Sequence, residues 1–151
     1  MNPVPFSPTR RRALLGLAAA AVPTILPARL FGQAAPSKKV HLAMIGTGRQ
    51  AYHTNLPTLL GLPEVRVVAV CDVDRNRAAA CKTKVDGHYG NKDCKVFGDF
   101  RECIGMPDLD AVMISTPDHW HVIIALAAIA KGLHVSCEKP LTRYVAEGRV
   151  L

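Results

Sequence analysis

An α/β fold with a doubly wound parallel sheet is what this sequence predicts, and three observations predict it. Short apolar runs alternate with helical patterns from Val40 onward. The first run feeds directly into a glycine turn that opens a helix. Each polar cluster of interest follows one of the apolar runs, which places them together at the sheet's C-terminal edge, where ligands of such folds bind.

Val40 to Ile45 is a mostly apolar run suited to a strand buried on both faces. It continues into Gly46-Thr47-Gly48-Arg49-Gln50-Ala51, a fit to the dinucleotide fingerprint G-x-G-x-x-G/A and so to a Rossmann-type domain. In that reading Gly46 allows the tight turn and Gly48 lets the backbone approach a pyrophosphate. Ala51 is small enough for the new helix to pack on the sheet, and the free N–H groups at the helix start face the phosphates. A plain strand-to-helix turn has the same glycines, so the surrounding pattern decides between the two.

That pattern continues in order. The helix from Arg49 to about Leu62 is disturbed by Pro57. Val65 to Cys71 is a β-branched strand ending at Asp72, one βαβ step beyond the glycines, where an acid accepts hydrogen bonds from the adenosine ribose. Asp74 to about Val85 reads as the second helix, and Asp86 to Asp93, with Gly87 and Gly90, as a loop. Lys95 to Phe97 is a short strand, and Asp99-Phe100-Arg101-Glu102 opens a helix with a capping-box pattern that ends by Met106-Pro107-Asp108. Leu109 to Ser115 forms a fourth strand. Thr116 then suits an N-cap, Pro117 the first helical position and Asp118 the positive helix end. Val122, Ala125, Leu126 and Ile129 fall at helical spacing, and Lys131-Gly132 ends that helix. His134 to Cys137 is the fifth strand, delivering Glu138-Lys139-Pro140 at its end, with a last helix expected over Thr142 to Leu151.

Charge and cysteines narrow the function. The formal charge of +7 is concentrated before Val40, in Arg10, Arg11, Arg12, Arg29, Lys38 and Lys39, with no acid among them. From Val40 onward 13 basic residues face 12 acidic ones, so no basic, aromatic-interleaved surface for nucleic acid is present. The five cysteines contain no C-x-x-C pair and no metal-ligand spacing, and several fall where strands or helix faces would bury them as small hydrophobes.

The leader reads as an export signal. Arg10-Arg11-Arg12 precede the apolar run Ala13 to Val22, Pro23 breaks it, and Gly32, Ala34 and Ala35 supply small residues for cleavage. This layout resembles a twin-arginine signal over residues 1–35, without the usual phenylalanine after the arginines. The expectation is a periplasmic protein, tethered to the membrane if the signal stays uncleaved, since the run is short for a stable span. Residues 24–39 then lead into the domain at 36–151.

The fingerprint, Cys71-Asp72-Val73-Asp74, Thr116-Pro117-Asp118-His119-Trp120-His121 and Cys137-Glu138-Lys139-Pro140-Leu141 together resemble, in order and spacing, the Gfo/Idh/MocA oxidoreductases. The resemblance covers about residues 38–151. It implies NAD or NADP as cofactor, a sugar, cyclitol or related polyol as substrate, and an oligomeric full-length protein. It places Ser115, Thr116, Pro117 and His121 beside the nicotinamide ribose. It carries Lys139, as the catalytic residue, to the reacting hydroxyl and the nicotinamide edge, and Glu138 is read as orienting Lys139 or the ribose. Taking a hydride from a secondary alcohol needs a base or charge stabiliser at the oxygen, a task a lysine can perform. Asp72 favours NAD over NADP, since a 2′-phosphate would meet its charge, although Arg75 and Arg77 stand nearby. Members of the family carry a second α/β domain over the nicotinamide, so a chain ending at Leu151 is expected to be a truncated product or fragment that binds cofactor without useful turnover. Two other readings remain: redox-neutral glycoside hydrolysis with bound NAD, in relatives whose Glu-Lys-Pro stretch is altered, and a non-catalytic dinucleotide-binding module.

Overall fold

A computed structural model describes residues 39–151, so the expected signal at 1–35 lies outside the described residues. Five strands form one sheet: β1 (Val40–Ile45), β2 (Val65–Cys71), β3 (Lys95–Phe97), β4 (Ala111–Ile114) and β5 (His134–Cys137). Their order is β3-β2-β1-β4-β5 and each pairing is parallel. The chain winds outward from β1 to one side, then crosses to the other side at β4. The strand order therefore reverses between β1 and β4, which opens a crevice at their C-terminal ends.

Alternation along β1 divides the core into two layers. Leu42 and Met44 pack with Val67 and Val70 under the helical segment after β1 and under α2 (Arg75–Tyr89). Ala43 and Ile45 pack on the opposite face with Ala69, Val112 and Ile114, against Cys103 of α3 (Phe100–Cys103) and Ile124, Ala125 and Ala128 of α4 (His121–Ala130). A strand buried on both faces reads as a continuous apolar run because both sets of alternate side chains meet a helix layer. Four cysteines, Cys71, Cys81, Cys94 and Cys103, are buried in these layers, and Cys137 is half-buried. Burial pushes the Cys94 thiol up to about 12, consistent with a packing role.

Four expectations are corrected. First, α2 continues through Gly87 to Tyr89, where a loop was expected, and stops at Gly90 with φ +66°. The Tyr89 hydroxyl accepts a hydrogen bond from Val67 N–H at 3.1 Å, and Lys82 pairs with Asp86 at 2.7 Å. These contacts outweigh the roughly 1 kcal/mol cost of an interior glycine. Second, Thr116 and Pro117 do not start the fourth long helix. A 3₁₀ turn at Asp118–Trp120 intervenes, and α4 begins at His121. A 3₁₀ turn advances the chain at three residues per turn; Val122 and Ala125 of the expected stripe are buried, joined by His121, Ile124 and Ala128, while Ile129 is 51% exposed. Third, β4 is shorter than Leu109 to Ser115, its ladder covering only Ala111–Ile114. Fourth, the expected helix from Thr142 to Leu151 is confined to α5 (Val145–Gly148), with none of its residues buried.

The helix after β1 is disturbed near Pro57 in an informative way. It starts at Arg49, widens into a π-helical turn over Ala51–Asn55, and resumes as α1 (Leu56–Leu60). Leu56 N–H reaches back five residues to Ala51 C=O. Proline has no N–H to return and crowds the preceding turn. The wider turn accommodates it.

Candidate functional site

The two fingerprint glycines do different work. Gly46 leaves β1 with φ +88°, and a Cβ placed on it would lie 2.6 Å from backbone atoms of both Ser115 and Thr116. Only glycine fits so close an approach to the β4 end. Gly48 has ordinary φ and nothing within 4 Å of an added Cβ. That open space lies on the cleft wall, immediately before the helix start at Arg49.

Asp72 anchors this turn. Its Oδ2 accepts hydrogen bonds from Thr47 N–H at 2.7 Å and Thr47 Oγ1 at 2.8 Å, and its Oδ1 accepts from Asp74 N–H at 2.9 Å. A carboxylate has about four acceptor positions, so one is left for a ligand. The backbone fixes the carboxylate's base, with Asp72 N–H donating to Phe97 C=O of β3 at 3.1 Å.

A cleft of about 490 Å³ runs along the C-terminal edge. Gly46, Gly48, Arg49, Gln50, Asp72, Ser115, Thr116 and Pro117 line it, all residues singled out by sequence. Arg77, Arg101 and Trp120 add to its wall, the two arginines held by ion pairs to Asp74 and Asp99. Thr47 lines a smaller neighbouring recess. Thr116 Oγ1 is buried with no hydrogen-bond partner among the described residues.

Glu138, Lys139 and His121 lie off the main wall. Glu138 N–H donates to Ile114 C=O at 2.9 Å, extending the β4–β5 pairing. Its Oε1 accepts from Asn55 Nδ2 at 2.8 Å and its Oε2 from Lys139 N–H at 3.2 Å. The Asn55 hydrogen bond, against a smaller effect of burial, holds the Glu138 carboxyl below the ordinary glutamate range. Lys139 is exposed, and its bond to Pro140 is cis. His121 is 2% exposed, its Nδ1 lying 2.8 Å from Pro140 C=O and its Nε2 2.8 Å from Thr116 C=O. The ring thus bridges the chain after β4 to the chain after β5, with both nitrogens facing backbone.

Sequence reasoning passed over Asn55. The same Nδ2 that meets Glu138 donates to Ser115 Oγ at 2.9 Å, joining the ends of β4 and β5. The only sequence signal was an asparagine, a poor helix former, two residues before a proline inside a helical pattern.

An open space at Gly48 beside a helix start, an acid with a spare acceptor position, an orphaned hydroxyl and a cleft of ligand size fit a dinucleotide laid across the switch point. Fold and cleft together define a dinucleotide-binding α/β domain. Residues 40–151 match the Gfo/Idh/MocA family, described as an oxidoreductase family with an NAD-binding Rossmann fold, and the chain belongs to it. Inositol 2-dehydrogenase 1 of Saccharopolyspora erythraea is 34% identical over 109 residues, 72% of this chain and 31% of that protein. A glycosyl hydrolase family 109 protein of the same species is 34% identical over 111 residues, 72% of this chain and 24% of that one. The crystal structure of myo-inositol dehydrogenase from Lactobacillus casei, in complex with NAD(H) and myo-inositol, superposes with a TM-score of 0.66 at 26% identity, over 74% of this chain and 32% of that one. The chain therefore spans about a third or less of the length of these relatives.

Proposed function

We propose that this chain is the dinucleotide-holding part of an exported oxidoreductase that moves a hydride between NAD and a hydroxyl carbon of a sugar, cyclitol or related polyol. The observation that carries the reading is the shared edge: the Gly48 opening, Asp72, Ser115 and the Glu138-Lys139 strand end all lie at C-terminal ends of adjacent strands. In this reading Asp72 uses its remaining acceptor position on the adenosine ribose, and the N–H groups from Gly48 onward meet the pyrophosphate. Thr47, Arg49 and Gln50 shape that turn. Ser115, Thr116 and Pro117 border the nicotinamide ribose, with His121 holding their backbone from behind. Glu138 orients Lys139, and Lys139 carries the proton or steadies the charge at the substrate hydroxyl. NAD, when bound, supplies the hydride acceptor. The polyol class rests on the likeness to inositol dehydrogenases.

Fluorescence titration with NADH and NADPH tests the cofactor side. NADH should bind more tightly, and Asp72→Ala should weaken it by about 10–100-fold, the worth of a charge-assisted hydrogen bond. Tighter NADPH binding, unchanged in Asp72→Ala, would remove the assignment. A screen of inositols and sugars tests the rest. Turnover needs the hydroxyl carbon held against the nicotinamide, since positioning supplies much of the rate in such reactions. NADH formation lost in Lys139→Ala would support the hydride-transfer role of Lys139, and NADH formation unchanged in that variant would remove it.

The likeness to the family 109 protein favours a second reading, glycoside cleavage with no net redox change. Release of an aryl leaving group from a nitrophenyl glycoside without NADH accumulation would select it.

Export rests on the paired arginines ahead of Ala13 to Val22. Replacing Arg10, Arg11 and Arg12 with lysine should leave the protein in the cytoplasm, and undiminished export of that variant would sink the proposal.

A further inference from the structure

Asn55 has no part in the fingerprint, yet it sits where three elements meet. It ends the π-helical turn, its Nδ2 lies 2.9 Å from Ser115 Oγ beyond β4, and the same atom lies 2.8 Å from Glu138 Oε1 beyond β5. An amide nitrogen carries two protons, and these two acceptors take both. The amide's orientation follows from chemistry: an ionised Glu138 can only accept, so Nδ2, and not Oδ1, must face it.

The consequence falls on Ser115. With one lone pair taken by Asn55, its hydroxyl still has a proton to donate, and Ser115 lines the cleft. Ser115 Oγ and the Glu138 carboxylate flank the same amide nitrogen, and a carboxylate is a strong acceptor that would compete for that proton if Asn55 were absent. The amide therefore holds hydroxyl and carboxylate apart. A dinucleotide with its ribose on Asp72 and its pyrophosphate at Gly48 has its other nucleoside across the switch point, at the ends of β4 and β5.

Resting on the dinucleotide reading of the cleft, we propose that Asn55 is a positioning residue for the nicotinamide half of the cofactor. By giving both amide protons to Ser115 Oγ and Glu138 Oε1, it turns the Ser115 proton toward the cleft and fixes the Glu138-Lys139 strand end beside it. The ligand group that Ser115 would meet is an oxygen acceptor, a ribose hydroxyl or the carboxamide oxygen. The π-helical turn is the backbone device that delivers the amide, since it carries about one residue more than an α-helical turn and so changes the direction in which Asn55 points.

The test compares two probes on the full chain: NADH, and ADP, which lacks the nicotinamide riboside. Asn55→Leu should weaken NADH about tenfold while changing ADP less than about twofold. Asn55→Asp, which keeps the shape but sets a second carboxyl against Glu138 in place of the amide donor, should show the same selective loss. It covers the case in which the leucine variant fails to fold. The Ser115→Ala and Asn55→Asp effects on NADH should be less than additive in the double variant, because they act through one hydrogen bond. Emission of bound NADH, which reports the nicotinamide's surroundings, should shift in the Asn55 variants and not in Asp72→Ala. Equal weakening of NADH and ADP, unchanged NADH affinity in Asn55→Asp, or full additivity would each overturn the assignment of Asn55. Failure of the wild-type chain to bind either probe would instead overturn the dinucleotide reading, and the proposal with it.

Discussion

Gly46 and Gly48 are two residues apart and identical in type, yet the structure separates their roles. Gly46→Ala would force a Cβ to 2.6 Å from the backbone of the Ser115–Thr116 segment at φ +88°. The strain should cost about 2–4 kcal/mol of stability. Gly48→Ala meets nothing within 4 Å. It should leave stability within about 0.5 kcal/mol of wild type, or raise it slightly through the unfolded chain. The same methyl enters the space where a pyrophosphate would lie, so NADH affinity should fall at least about tenfold. Thermal unfolding and NADH titration of both variants check this. Loss of stability in Gly48→Ala, or unaltered NADH binding, would contradict the division. The fingerprint made both glycines legible in the sequence because its spacing encodes two separate steric demands. Asn55 was not legible, because its partners Ser115 and Glu138 lie 60 and 83 residues away.

At the scale of elements, strands were easier to read than helix starts. β1, β2, β3 and β5 fall where the apolar runs place them; for the inner strands β1 and β2 the reason is that a strand between two helix layers needs apolar side chains on both faces. The start of α4 was misplaced because a Thr-Pro-Asp sequence suits an N-cap locally, while the tertiary structure uses it differently. Pro117 precedes a 3₁₀ turn, and the first residue of α4, His121, is spent on holding two loops. His121→Leu would leave Thr116 C=O and Pro140 C=O facing an apolar side chain in a nearly closed space. A neutral imidazole donates from one nitrogen only, so one buried carbonyl loses its partner, at a cost of about 1–3 kcal/mol. The loss should be local as well as global: proteolysis should accelerate after Arg143 and near Thr116 before it does so in α2. His121→Gln can serve one carbonyl and should recover part of the loss. Urea denaturation together with mapping of early cleavage sites decides it, and uniform cleavage with unchanged midpoint would dismiss the bridging role.

Across the whole molecule, the placement of the cleft was legible before any side-chain contact was known. Parallel strands that alternate with helices put every strand's C-terminal end on one edge, so residues following different strands converge there. The closeness of that convergence was not legible, because register and the tightness of the Gly46 approach depend on long-range packing. The same topology predicts the response to acid. Asp86 is held below the ordinary aspartate range by the Lys82 ammonium, Asp99 by the Arg101 N–H at the start of α3, and Glu138 by Asn55. Each of these carboxyls binds a proton less readily folded than unfolded, so each contributes stability that is complete above the unfolded-state range of about pH 4–4.5. That contribution is lost as pH falls through the lower folded-state values. They act at separate joints: Asp86 at the α2–β3 turn, where its Oδ1 accepts from Cys94 N–H, Asp99 at the β3–α3 cap, and Glu138 at the β4–β5 end. Urea midpoints should therefore be nearly constant from pH 7 to 5 and fall steadily below about pH 4. Lys82→Met should flatten the fall, since Asp86 then loses its main reason to stay ionised. A midpoint that holds to pH 3, or a fall as steep in Lys82→Met as in wild type, would show that these joints do not set the acid limit of the fold.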